Sequence, residues 1–136
     1  MALEATLVFE TELPLPFTVN NATNVLKGTV MKMADLMTAA PSDGDADIVA
    51  GILHGEKTAS DGKTKAAVYR GGIFKMTAGG SITVGDALIT NASSGAANEV
   101  ITAGVNAENI LGIALETATD TQTLLVMLGP RTINVA

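Results

Sequence analysis

The chain of 136 residues has no cysteine and no tryptophan, and only one histidine, one tyrosine and three phenylalanines. Without cysteine, disulfides, thiolate metal sites and a cysteine nucleophile are excluded. A single histidine also excludes a histidine-rich metal site. Because so few rings are available, the core has to be built from aliphatic side chains, which bury less area each. Such a chain often needs a partner surface to reach adequate stability.

Charge is scarce as well: 16% of the residues are charged, and 14 acidic against 8 basic residues give a net charge of −6. A nucleic-acid binder needs a basic face, so nucleic acid is not expected as a partner. The apolar share of 47% argues against disorder.

Long hydrophobic runs are missing too. The clean apolar runs, such as residues 48–53 and 110–115, reach six residues, whereas a membrane-spanning helix needs about 20. Glu4, Glu10 and Glu12 stand where a secretory signal would begin. We therefore expect a soluble protein, made in the cytoplasm of the producing cell, without a membrane partner.

Short runs rich in β-branched residues alternate with Gly, Asp, Asn and Ser clusters from Val25 onward. These runs cover residues 29–33, 48–54, 65–69, 72–76, 81–90, 99–103, 109–115 and 122–128. Regularly spaced short strands of this kind predict an all-β fold, here a small antiparallel β-barrel over residues 25–136. Only residues 33–40, ended by Pro41, have the character of a helical turn or two.

A weak internal repeat runs through this region. Gly51 aligns with Gly112 in two Gly-Ile segments, and Val68 aligns with Val126 in two strands that end in glycine. The pattern indicates an internal duplication, in which two related three-strand units close one barrel. Coincidence is the alternative, since both matches are short.

The first 24 residues have a different character and predict an extended N-terminal arm. Pro14 and Pro16 have no amide hydrogen and a fixed φ, which excludes a helix and a central strand. We expect this arm to leave its own domain and lie on a neighbouring subunit, with residues 6–12 adding to a sheet edge. The predicted partner-contact residues are the apolar residues and prolines of the arm: Leu7, Phe9, Leu13, Pro14, Leu15, Pro16 and Phe17.

Deleting residues 1–22 is expected to leave a folded barrel that attaches poorly to its partner. The alternative is a frayed terminus without function.

Nothing in the sequence predicts a reaction, a metal or a cofactor. His54 is the only histidine and has no recognisable catalytic partner nearby in the sequence. Asp43, Asp45 and Asp47 alternate as in a calcium loop, but Ile48 and His54 stand where that loop needs glycine and glutamate. An acidic turn is the better interpretation. A hydrolase using two carboxylates stays open as a minor alternative.

Three segments resemble a known family. Residues 72–88 read GIFKMTAGGSITVGDAL, residues 110–116 read ILGIALE and residues 28–33 read GTVMKM. Together they are similar to the central and flanking motifs of the capsid cement, or decoration, proteins of tailed phages.

The resemblance implies a small β-tulip-like barrel that forms trimers and clamps adjacent major capsid subunits. It implies a structural virion protein on the outer surface of an icosahedral capsid, with the major capsid protein and further copies of itself as partners. No enzyme activity and no cofactor follow from it. The alternative is a β-clip or barrel module of a cellular protein that holds a small ligand.

Overall fold

The computed structural model describes residues 4–44, 47–91, 98–104 and 109–132. These residues form strands and turns, and within them there is no helix and hence none that could cross a membrane. The strands are β1 (Thr6–Phe9), β2 (Leu15–Thr18), β3 (Val30–Asp35), β4 (Thr38–Pro41), β5 (Val49–Leu53), β6 (Lys65–Tyr69), β7 (Gly72–Ala78), β8 (Ala87–Thr90), β9 (Glu99–Thr102), β10 (Asn109–Ala114) and β11 (Thr123–Thr132). The all-β class is confirmed, and each of the eight sequence runs overlaps a strand.

The first barrel is a closed ring of five strands in the order β2-β4-β3-β5-β6. Its neighbours are antiparallel except β2 and β4, which run parallel and meet where Thr18 pairs with Thr38. The interior is filled by apolar side chains of different sizes: Phe17, Val19, Val25, Met31, Ala39, Ala50, Leu53 and Val68. Alternation along the strands produces this core, because every second side chain points inward.

The second barrel contains β7, β11, β10, β8 and β9, and β9 pairs back to β7 to close the ring. That closing pair is again parallel, with Thr77 opposite Glu99 and Ala78 opposite Val100. β1 adds to the remaining part of the same β7 edge. The second barrel therefore has a sixth strand, which the N-terminus of the chain supplies.

The two barrels repeat one another in strand order and in the direction of every pair. The backbone hydrogen bonds also correspond: Gly28 N donates to Leu53 O at 3.0 Å, and Gly85 N donates to Ala114 O at 2.8 Å. The isolated bridges between Val25 and Lys57 and between Ile82 and Ala118 are a second such pair. Gly51 and Gly112, which the weak repeat aligns, lie on the corresponding strands β5 and β10.

One buried ammonium group joins two loops of the first barrel. The Lys57 side chain is 3% exposed and donates to Asn21 O at 3.2 Å, to Thr58 O at 2.6 Å and to Asp61 Oδ1 at 2.8 Å. All three donor positions of the ammonium are used, which allows this charge to be buried. In the second barrel the corresponding position holds Ala118.

The architecture differs from the sequence-based expectation in two respects. Two five-stranded barrels form where one barrel was expected, because each half of the chain closes on itself through its own parallel pair. Residues 33–40 do not form a helical turn but belong to the β3–β4 hairpin, in which Met37 takes a positive φ of 46°.

Candidate functional site

The N-terminal segment is built into the protein along most of its length. Ala5 N donates to Gly28 O at 3.0 Å, and β1 then pairs antiparallel with β7. Leu7 lies opposite Phe74 and packs against the core of the second barrel. A bulge between Leu7 and Phe9 shifts the register, so that Phe9 lies opposite Ile73 and is 62% exposed.

Two glutamates of the turn that follows β1 lie against residues 69–71. The Tyr69 hydroxyl donates to Glu10 Oε2 at 2.9 Å, and the Glu12 carboxylate lies over Gly71, where a β-carbon would overlap it. Burial raises the pKa of the Tyr69 phenol, and the hydrogen bond to Glu10 raises it further. These contacts bring residues 10–12 against the first barrel and leave Leu13 beyond them, 76% exposed.

Pro14 precedes β2, and Pro16 lies at a position of β2 where the sheet loses no hydrogen bond. Thr18 N donates to Met37 O at 2.7 Å, so the amide of Thr18 points toward the β4 side of β2. Amide direction alternates along a strand, which places the nitrogen of Pro16 on the same side. Only Thr18 pairs with β4 there, so Pro16 costs no ladder hydrogen bond and also prevents another strand from adding to this edge.

The structure separates the seven predicted partner-contact residues into three groups. Leu7 and Phe17 point into the two cores, and Phe17 is 1% exposed. Pro14 is half-buried, and the other four are exposed: Phe9, Leu13, Leu15 and Pro16. The expectation of a separate arm over residues 1–24 is therefore wrong for two parts of it. β1 adds to the chain's own sheet, and β2 is a wall of the first barrel because four of its residues pair with β6.

A surface that the sequence analysis did not identify lies on the outside of the second barrel. One row of paired positions crosses five strands, and its members are exposed or half-buried: Phe9, Ile73, Met127, Ile113 and Ala87. Met127 is 45% exposed. A usable signal was present in the sequence, because residues 124–128 are apolar on both faces of the strand although one face should be polar.

The remaining chemical candidates are structural. His54 is exposed and lies beside the Tyr69 ring, with a centroid distance of 5.3 Å. Asp47 Oδ2 accepts hydrogen bonds from Ser42 Oγ, Asp43 N and Gly44 N, so it closes the acidic turn; Asp45 lies outside the described residues. No group of three His, Asp or Glu side chains in the described part of the chain could hold a metal ion.

A cleft of about 380 Å³ is lined by the start of the chain, by residues of the first barrel and by Phe74 of β7. Its walls include Glu4, Lys27, Leu53, His54, Tyr69 and Phe74. The charged groups at its rim are exposed, whereas specific small-molecule sites place a few polar groups inside an enclosed apolar cavity. The cleft therefore gives little support to the small-ligand alternative.

Comparison with known proteins identifies the family. The family model described as phage cement protein matches residues 9–129. Among solved structures, the head fiber gp8.5 N base of bacteriophage phi29 is similar, with a TM-score of 0.56 and 16% identity over 89% of this chain and 98% of that chain. At that identity the likeness shows the fold alone. No curated protein sequence matches.

The family match runs from the end of β1 into β11 and so includes strands of both barrels. Membership implies a structural protein of the phage virion that binds the capsid. The chain belongs to the phage cement protein family.

Proposed function

We propose that this protein decorates the outer surface of an icosahedral phage capsid and stabilises it by clamping adjacent major capsid subunits. The family match over residues 9–129 is the observation that carries the proposal. Such a role needs exposed apolar side chains and a rigid scaffold, and it needs no reaction, so we propose no catalytic activity. Synthesis would take place in the host cytoplasm before attachment to the head.

The capsid contact that we propose is centred on the β1–β2 turn. Leu13 is the most exposed apolar residue of this segment, and Phe9 at its other end is 62% exposed. The turn is pre-organised, because the Glu10 side chain binds the Tyr69 hydroxyl and Pro14 restricts the backbone. Pre-organisation lowers the entropy cost of binding. The two carboxylates favour a basic surface on the partner, which orients the encounter more than it strengthens the complex.

The working form that we propose is a homo-oligomer, with three copies as the expected number. Large apolar side chains remain exposed on several strands and turns, among them Phe9, Leu13, Leu36 and Met127. Phe9 and Met127 belong to one row across neighbouring strands, and a contiguous exposed apolar patch of this kind marks protein contacts. Closed cyclic symmetry is the usual way in which identical copies bury it.

A titration on undecorated capsids tests the capsid contact. We expect Leu13→Asp to weaken binding at least tenfold while the melting temperature stays within about 2 °C of wild type, since this side chain contacts solvent in the free protein. Leu26→Asp is the matched control, because Leu26 is also exposed, at 50%, but lies in the turn before β3. Equal occupancy by all three proteins would refute the proposed contact, and failure of wild type to bind any capsid of its own phage would refute the function itself.

A further inference from the structure

The contact between the two barrels joins two unlike surfaces. The first is the outer row of the first barrel, defined as Val30, Ile52 and Tyr69, which are neighbours across β3, β5 and β6 and at most 5% exposed. All three belong to the same apolar cluster as the interior of the second barrel. This row therefore lies outside its own barrel and is covered by the other one.

The second surface is the mouth of the second barrel, defined as Phe74, Thr90 and Asn98. The rings of Phe74 and Tyr69 meet edge to face at 5.7 Å. Asn98 Oδ1 accepts a hydrogen bond from Val30 N at 2.9 Å, and Thr90 Oγ1 donates to Gly44 O at 2.9 Å. Asn98 and Thr90 are both buried, so the first barrel caps this open end.

Because the barrels correspond strand by strand, each of these surfaces has a counterpart elsewhere in the chain. The outer row of the second barrel consists of Ala87, Ile113 and Met127, in which Ile113 pairs with both of the others. The central residue of the covered row, Ile52, pairs with Val30 and Tyr69 in the same way. No polar residue interrupts it, Met127 is 45% exposed, and the other two are half-buried. The counterpart is as apolar as the covered row but lies open.

The mouth of the first barrel is the other counterpart and consists of Leu15, Met33 and Met37. Leu15 corresponds to Phe74, because Leu15 pairs with Val68 and Phe74 pairs with the equivalent Val126. Met37 corresponds to Asn98, because each directly precedes the equivalent strand, β4 or β9. Met31 pairs with Gly51 as Leu88 pairs with Gly112, so Met31 and Leu88 correspond. Met33 and Thr90 each lie two residues further along the strand and therefore correspond as well. Leu15 is 45% exposed and Met37 is 42% exposed.

We infer that a second copy of this chain docks head to tail, with its second-barrel outer row on the first-barrel mouth of its neighbour. Within one chain the corresponding row already covers the corresponding mouth, which supports this pairing of the two open surfaces. Methionine suits such a contact because its flexible side chain fills irregular gaps. A contact between unlike surfaces is heterologous, and it forms a ring when the rotation closes.

This inference rests on the homo-oligomer proposed above and does not depend on the capsid contact. Leu15 belongs to the mouth, whereas Leu13 and the turn before it stay available for the capsid. Each copy would present two barrels to the ring, so three copies would place six similar barrels around one axis.

Cysteine cross-linking tests the contact, because the chain has no cysteine of its own. Met127→Cys and Met37→Cys are made separately, and each is treated with a short bis-maleimide, alone and as a mixture, in solution and on undecorated capsids. A head-to-tail contact brings the two different cysteines together and keeps equal cysteines apart. We expect a cross-linked dimer from the mixture, at least fivefold more than from either variant alone.

Leu26→Cys mixed with Met127→Cys is the control and should yield no more dimer than the single variants. The double variant Met37→Cys/Met127→Cys should produce a ladder of bands that ends at the ring size. Self-cross-linking of Met127→Cys equal to that of the mixture would overturn the inference in favour of a symmetric contact. Capsid occupancy without any cross-link would overturn the head-to-tail contact and leave the proposed function intact. A cross-link in solution without capsid occupancy would support the head-to-tail contact and refute the proposed function.

Discussion

Gly51 and Gly112 lie at corresponding places in the two barrels, and each faces the backbone of a neighbouring strand. A β-carbon on Gly51 would overlap the carbonyl oxygen of Tyr69, and one on Gly112 would overlap the carbonyl oxygen of Met127. Tyr69 and Met127 themselves correspond, since both belong to the outer rows. The same steric requirement therefore explains the glycine in both Gly-Ile segments.

Gly51→Ala and Gly112→Ala should each destabilise the protein severely. The overlapping atom belongs to the backbone and cannot rotate away, so we expect a loss of about 3 kcal/mol or more for each variant. Gly51 has in addition a φ of 149°, which side chains rarely adopt. Urea unfolding measures the effect. Gly80→Ala is the matched control, because a β-carbon there meets nothing within 4 Å; a control loss equal to that of the two variants would contradict the steric explanation.

Lys57→Met should cost about 2 kcal/mol, because it leaves buried carbonyl groups of two loops without their donor. Lys32→Met is the comparison, since its ion pair with Asp43 at 2.7 Å lies at the surface, with Asp43 74% exposed. Exposed pairs contribute under about 1 kcal/mol. Chemical denaturation of both variants gives the difference, and equal losses would show that the buried ammonium has no special role.

The Tyr69 phenol should titrate above the ordinary value of 10.0. Because the chain has one tyrosine and no tryptophan, absorbance at 295 nm follows this group alone. Glu10→Gln should lower the pKa only partly, since burial is the larger cause and remains. A pKa at or below 10.0 in the wild-type protein would contradict the burial of this ring.

The same shift predicts how stability depends on alkaline pH. Above pH 10 the unfolded chain loses the phenol proton while the folded protein keeps it, so the free energy of unfolding falls as pH rises toward the folded pKa. Tyr69→Phe should remove that part of the slope. Thermal melts of both proteins between pH 9 and pH 11 measure it, and parallel slopes would exclude this contribution.

Deleting residues 1–22 should unfold at least the first barrel, contrary to the expectation drawn from the sequence. The deletion removes all of β2, including Phe17, which is 1% exposed in that core. Far-ultraviolet circular dichroism and a thermal melt report the outcome. A truncated protein with the wild-type β signal and melting temperature would show that β2 is dispensable.

The local pattern predicted much of this protein correctly. Alternating β-branched runs and glycine-rich turns are enough to identify eight of the strands and the all-β class, because both signals depend on neighbouring residues. The same motifs led to the family, which the match over residues 9–129 confirms.

The sequence alone determined eight of the eleven strands in the described residues, the alignment of Gly51 with Gly112, and the family that the chain resembles. The tertiary structure decided how those strands pair: Thr6 opposite Lys75, Leu15 opposite Val68, and Thr77 opposite Glu99. These partners lie far apart in the chain, and a strand with apolar residues on both faces carries no local mark of which face will be covered. Hence Phe17 lies in a core although it follows two prolines, and Met127 is exposed although its counterpart Tyr69 is buried.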